Sequence, residues 1–172
     1  MAWDETPEQG ALYRLDPGAR VPTRMVDDVS ISNGLAWTSD ARTMYFIDTT
    51  TQCISQFDYD LDSGAIANRR TFLEIPEADG WPDGMAIDAD DCLWVAFWGG
   101  SAVRRYMPDG RLDRVFTFPC AQITSCAFVG PALDRLVVTS ASIGLAEPEP
   151  LAGSTFVINP GVTGTATTAF GA

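Results

Sequence analysis

Three stretches of this chain repeat one another: Ser32-Asn33-Gly34-Leu35-Ala36-Trp37, Pro82-Asp83-Gly84-Met85-Ala86-Ile87 and Ile123-Thr124-Ser125-Cys126-Ala127-Phe128. Asn33, Asp83 and Thr124 hold equivalent places, 50 and 41 positions apart. In each copy a short loop leads into an apolar strand with alanine at its middle. A turn follows (Ser39-Asp40, Ala89-Asp90-Asp91, Gly130-Pro131), then a second strand: Thr43 to Ile47, Cys92 to Ala96, and Arg135 to Thr139. A hairpin pattern is interleaved with this repeat. Ala11-Leu12-Tyr13-Arg14-Leu15-Asp16-Pro17-Gly18 resembles Val103 to Gly110, and Phe57-Asp58-Tyr59-Asp60 leads into Asp62-Ser63-Gly64 in the same way. Four short strands in every ~40–50 residues is the pattern of a β-propeller.

The expected fold is therefore all-β, a β-propeller whose alanines sit where innermost strands crowd around an axis. Ala65 to Leu73, the segment most open to a helical reading, lacks a sustained i, i+3, i+4, i+7 apolar stripe. Blades start near residues 33, 83 and 124, and residues 11–29 supply only the outer hairpin of an earlier one. At ~45 residues per blade this amounts to an incomplete arc of about three and a half four-stranded blades. The reading is one partial propeller domain spanning 1–172. An open arc leaves two radial faces uncovered, which favours self-association.

Composition narrows the chemistry. Eleven Lys and Arg against 23 Asp and Glu give a net charge of −12. That balance argues against nucleic-acid and membrane-surface partners, both of which attract clustered basic residues. There is no histidine. Ser-His-Asp and Cys-His nucleophile pairs, histidine zinc sites and imidazole proton shuttles are thereby excluded. Cys53, Cys92, Cys120 and Cys126 form no C-x-x-C and read as buried reduced thiols. No apolar run reaches the ~18–20 residues of a membrane span, and the N-terminus has no leader pattern, so the expected location is cytoplasmic.

Repeats differ where function intrudes. If the blades share an axis, Asn33, Asp83 and Thr124 converge on one end of the channel. An amide oxygen and a carboxylate would then face a common point, suiting a hard divalent cation. A plainer reading is also open: Asn-Gly and Asp-Gly are common turn dipeptides whose side chains cap their own backbone.

The run Ile31-Ser32-Asn33-Gly34-Leu35-Ala36-Trp37, Thr43 to Thr49, Phe57-Asp58-Tyr59-Asp60-Leu61, Asn68-Arg69-Arg70, Pro82 to Ala89 and Leu93-Trp94-Val95-Ala96 resembles the regucalcin/gluconolactonase family. That family is also known as senescence marker protein and luciferin-regenerating enzyme. The resemblance implies a six-bladed propeller with one divalent metal ion in the channel mouth, its identity (Ca, Zn, Mn or Mg) left open. It also implies hydrolysis of a sugar lactone, the expected small-molecule partner. It makes Asn33 and Asp83 metal ligands, with Asp83 also the general base. In such a site the metal polarises the lactone carbonyl while a carboxylate removes a proton from water, so no histidine is needed.

The family's first-blade Glu ligand has no counterpart here, nor do its substrate-contacting Arg and Asn. The resemblance aligns Met1 with an internal methionine, an N-terminally truncated site. Asp4 or Glu5 matches an acidic residue at the substrate mouth, although solvated charge accounts for them equally simply. Trp37, Trp81, Trp94 and Trp98 are expected mainly in the core between blades. Trp81, before Pro82-Asp83, and Trp98, before Gly99-Gly100, are the candidates for lining a sugar pocket. Two rival functions remain: an inactive or non-enzymatic propeller fragment, and a calcium-binding regulatory protein.

Overall fold

A computed structural model describes residues 6–167. The chain runs through thirteen described strands: β1 (Gly10–Arg14), β2 (Thr23–Val29), β3 (Ser32–Trp37), β4 (Thr43–Asp48), β5 (Cys53–Asp60), β6 (Ala65–Glu74), β7 (Trp81–Ile87), β8 (Leu93–Trp98), β9 (Ala102–Tyr106), β10 (Leu112–Thr117), β11 (Ile123–Val129), β12 (Arg135–Ser140) and β13 (Thr155–Ile158). The only helices among the described residues are single 3₁₀ turns at Thr49–Thr51 and Glu77–Asp79. Each sheet is an antiparallel meander of consecutive strands: β1-β2, β3 to β6, β7 to β10, and β11 to β13.

The first strands of the last three sheets lie side by side, β3 against β7 and β7 against β11. They are the inner strands of radially arranged blades. Two blades are complete, the last described sheet has three strands rather than four, and the first is the outer hairpin alone.

Side-chain alternation explains why the second strands are apolar throughout. Successive residues of a strand point to opposite faces. On β8, Leu93, Val95 and Phe97 pack back onto Tyr45, Ile47 and Ile54 of the preceding sheet. The intervening Trp94 and Ala96 pack forward onto Ile123, Leu136 and Val138 of the next. On β4, Met44 and Phe46 turn instead toward Val29, Leu12 and Val26 of the first hairpin. A strand covered on both faces has no polar side to alternate.

The alanines take part in this packing between sheets. Ala36 is buried in the core shared with the next sheet. Ala86 packs into the following core. Ala127, on the last sheet, is exposed. Its in-register neighbour is Val137, which faces Val157 in turn. Val157 is 59% exposed. The residue type at each position thus suits a neighbouring blade, and the last described sheet presents such a face uncovered.

Two glycines let the inner strands approach. A Cβ on Gly34 would lie 2.9 Å from the Met85 backbone nitrogen, and one on Gly84 would lie 2.9 Å from Ser125 Cα. Backbone cannot rotate aside as a side chain can. Gly84→Ala is therefore expected to cost about 1–3 kcal/mol by overpacking, measured as a shift in the urea midpoint. A midpoint equal to wild type would show that β7 and β11 separate freely.

All four cysteines are free, with Cys92, Cys120 and Cys126 buried. Burial pushes the Cys92 thiol up to about 11 and the Cys126 thiol up to about 12, leaving them protonated and inert at neutral pH. Among the described residues no helix is long and apolar enough to cross a membrane.

Candidate metal and catalytic site

Asn33, Asp83 and Thr124 lie inside strands β3, β7 and β11, one step beyond the entry loops that the repeat suggests. Register explains the difference. The pairing of each inner strand with its neighbour shifts there: between Ser32 and Leu35 on β3, between Pro82 and Met85 on β7, and between Ile123 and Ser125 on β11. A bulge bends the strand and re-aims a side chain that would otherwise alternate into the sheet faces. The Gly after Asn33 and Asp83 falls within two of these bulges, so the Asn-Gly and Asp-Gly dipeptides serve inner-strand irregularities, not hairpin turns.

Asp83 and Asn33 come together across the boundary between two blades. Burial raises the Asp83 carboxyl from an ordinary 3.8 to about 6. Hydrogen bonding to the Asn33 side chain and to the Gly84 backbone pulls it partway back. A carboxyl that titrates near 6 is mostly ionised at neutral pH yet basic enough to take a proton and return it. The Asn33 Nδ2 also donates to Thr49 Oγ1 at 3.1 Å, and the Thr49 hydroxyl donates to the Pro82 carbonyl at 2.8 Å. Thr124 is engaged elsewhere, its hydroxyl 2.8 Å from that of Thr139 on its own sheet.

Trp81 starts β7, is 44% exposed, and pairs in register with Trp98 at the end of β8. Trp98 in turn bridges to Gln122 just before β11. Trp81 is thus two residues before Asp83 on the same strand, with Trp98 beside it on β8. The expectation that the tryptophans fill the core is corrected for two of them. Trp37, 40% exposed, stacks edge-on against Tyr59, and Trp81 stands out to solvent, because each sits at an end of its inner strand. Trp94 is fully buried, on β8 rather than on an inner strand. Asp4 and Glu5 lie outside the described residues.

The donor set can be tested against the cation that the sequence implies. An amide and a carboxylate on adjacent strands offer oxygen ligands of the kind that hard divalent ions prefer. Among the described residues no group of three His, Cys, Asp or Glu comes together around a metal position. Asn33 and Asp83 thus fit a divalent ion as part of a coordination sphere, with water or other donors completing it.

Among the described residues, the carboxylate that accepts the most hydrogen bonds stands apart from Asn33 and Asp83. Asp88, which the sequence places just before the Ala89-Asp90-Asp91 turn, is fully buried. It accepts the backbone N–H groups of Asp90 at 2.9 Å and Cys92 at 3.0 Å, the Trp94 indole N–H at 2.8 Å and Arg105 Nε at 2.7 Å. Burial works against the Arg105 charge, but its hydrogen bonds to Asp88 and Asp113 outweigh that and hold its pKa above the ordinary value. No pattern in one sequence marks Asp88 out, because its partners come from three different strands and turns. Thr49 was equally hidden, an unremarkable threonine in a run of three.

Radial antiparallel sheets, inner strands in contact and paired oxygen donors at their bulges define an arc of a β-propeller with a candidate cation site at one end. A family profile described as the SMP-30/Gluconolactonase/LRE-like region matches residues 1–142, and the chain belongs to that family. Regucalcin of Danio rerio is 41% identical over 165 residues, which cover 92% of this chain and 56% of that protein. The solved structure of a luciferin-regenerating enzyme superposes with a TM-score of 0.88 at 32% identity, covering 99% of this chain and 59% of the other. A calcium-binding regucalcin from Agrobacterium tumefaciens gives a TM-score of 0.87 at 31% identity, covering 92% and 55%. The chain spans little more than half the length of these relatives.

Proposed function

We propose that this chain carries the Asn/Asp part of a divalent-metal-dependent sugar-lactone hydrolase site, with Asn33 and Asp83 as ligands and Asp83 also as the base. The observation that supports it most is the Asp83 carboxyl, raised to about 6 and set beside the Asn33 amide on neighbouring inner strands. Family membership and the absence of histidine favour the same chemistry. A bound divalent ion supplies positive charge that draws electron density from the lactone carbonyl. Asp83 takes a proton from water as the water oxygen bonds to the carbonyl carbon. When the ring C–O bond breaks, Asp83 returns that proton to the departing alkoxide, giving an open-chain hydroxy acid. Trp81 and Trp98 offer apolar flanks for a sugar ring. The remaining donors, in this reading, come from polypeptide docked on the open blade faces, where Val137 and Val157 lie.

A second reading is cation binding without turnover, favoured by a site with only two candidate oxygen ligands and by the calcium-binding description of the Agrobacterium relative. Gluconolactone hydrolysis followed by acid release, with Ca²⁺, Mn²⁺, Mg²⁺ or Zn²⁺ added in turn, separates the two. The expected result is a metal-dependent rate that falls ~10²–10⁴-fold in Asp83→Ala, the range for loss of a general base. Calorimetric heat with Ca²⁺ and no rate above background would replace the hydrolase reading by the binding one.

A further inference from the structure

The end of β4 is tied to the start of β3 by the dipeptide Asp48-Thr49. The buried Asp48 carboxylate accepts the backbone N–H of Ser30 at 3.0 Å and of Ile31 at 2.8 Å. The Thr49 N–H donates to the Ile31 carbonyl at 3.0 Å. The backbone entering the Asn33 bulge is thus held at three points by two consecutive residues.

The Thr49 side chain, itself buried, reaches further. A carbonyl oxygen can only accept, so the 2.8 Å contact with Pro82 takes the one proton that the Thr49 hydroxyl has. The hydroxyl oxygen is then left as an acceptor. Of the two ends of the Asn33 amide only the NH₂ can answer it, at 3.1 Å. At the Thr49 hydroxyl itself, an uncommitted proton would have let either end of the amide face it, whereas the Asp83 carboxylate, which also bonds the Asn33 side chain, accepts from the NH₂ end. The bond to Pro82 removes that freedom and also fastens Asn33 to the residue preceding Asp83, across the boundary between two blades.

We infer that Thr49 is a positioning residue: its hydroxyl, bridging Asn33 and the Pro82 carbonyl, turns the Asn33 amide so that Oδ1 is the atom presented to a cation and holds it in register with Asp83. This rests on the reading of Asn33 and Asp83 as ligands. Groups that orient metal ligands from behind commonly matter 10–100-fold for affinity.

Thr49→Val, which keeps the shape and removes both hydrogen bonds, and Thr49→Ser, which keeps the hydroxyl, test it in the full chain. Asn33→Ala serves as the ligand control. Mn²⁺ affinity is read from paramagnetic broadening during titration. The Asn33 side-chain NH₂ protons are followed separately by nuclear magnetic resonance without added metal. Thr49→Ser is expected to bind like wild type and Thr49→Val about 10–100-fold more weakly. The Asn33 NH₂ protons should exchange faster in Thr49→Val while strand resonances stay in place. Unchanged affinity in Thr49→Val, or unchanged NH₂ exchange, overturns the inference. If Thr49→Val fails to fold, Thr49→Ala, which lets water reach the Pro82 carbonyl, carries the same comparison. Should wild type and Asn33→Ala respond to Mn²⁺ alike, the ligand reading fails, and NH₂ exchange by itself decides whether Thr49 positions the amide.

Discussion

Asp83→Asn is expected to abolish divalent-metal binding and at the same time to stabilise the fold at pH 8. Both effects come from one carboxyl held at about 6 against 3.8 when exposed. A group whose folded pKa lies above its unfolded value binds more protons in the folded state. Its contribution is complete below pH ~4 and is lost as pH rises through 6. At pH 8 wild type therefore holds an ionised carboxylate where burial disfavours it. Full conversion of the shift gives about 3 kcal/mol, and the site's partial access to water reduces this to about 1–2 kcal/mol. The asparagine retains the shape and carries no charge. Urea melts of both proteins at pH 4 and pH 8 check the sign: the gain belongs to pH 8 and should vanish at pH 4. An equal difference at both pH values would show that Asp83 ionisation is not its source. Metal binding by wild type should strengthen as pH rises toward 6 and level off above it, because proton and cation compete for the same oxygens.

Asp88→Ala is expected to be the most damaging single substitution away from the candidate site. It strips the buried Arg105 guanidinium of its shortest contact, 2.7 Å, and leaves the Trp94 indole N–H and two backbone N–H groups without an acceptor. Asp113, 2.8 Å from Arg105, and the exposed Asp90 at 3.1 Å cannot replace a partner that is itself fully buried. Breaking such a pair from one side costs about 3–5 kcal/mol, a large part of the ~5–15 kcal/mol that holds a domain folded. Replacing both partners, Asp88→Leu with Arg105→Met, should recover much of the loss, since neither charge then remains buried alone. Equilibrium unfolding of the two single variants and the double variant reads the cycle. A single-variant loss below about 1 kcal/mol, or a double-variant loss equal to the sum of the two single losses, would show that the network is not coupled.

Much of the architecture was legible because a propeller repeats it. Asn33, Asp83 and Thr124 mark the same place in three sheets, and the unbroken apolar runs of β4 and β8 announce strands covered on both sides. The pairing of Asn33 with Asp83 followed from equivalence under rotation. What a repeat cannot show is how equivalent residues diverge. Thr124 occupies the same bulge yet turns to Thr139 on its own sheet. Trp37 and Trp94 look alike in sequence, but one stands at a strand end beside Tyr59 and the other lies under Phe116 and Phe128. Burial is decided by the neighbouring sheet, which a local pattern does not contain.

By itself the sequence determined the strand order and the blade spacing, because both depend on periodicity along the chain, and it singled out Asn33 and Asp83 as candidate oxygen donors. The tertiary structure decided the rest. Contact between inner strands placed Thr49 between Asn33 and Pro82 and made Gly84 indispensable to close approach. Desolvation at the boundary between two blades gave Asp83 its raised pKa. Residues 88 and 105 became a buried ion pair only when β9 was laid against β8. Desolvation and hydrogen-bond commitment arise from groups distant in the chain, and they exist only once the sheets have packed.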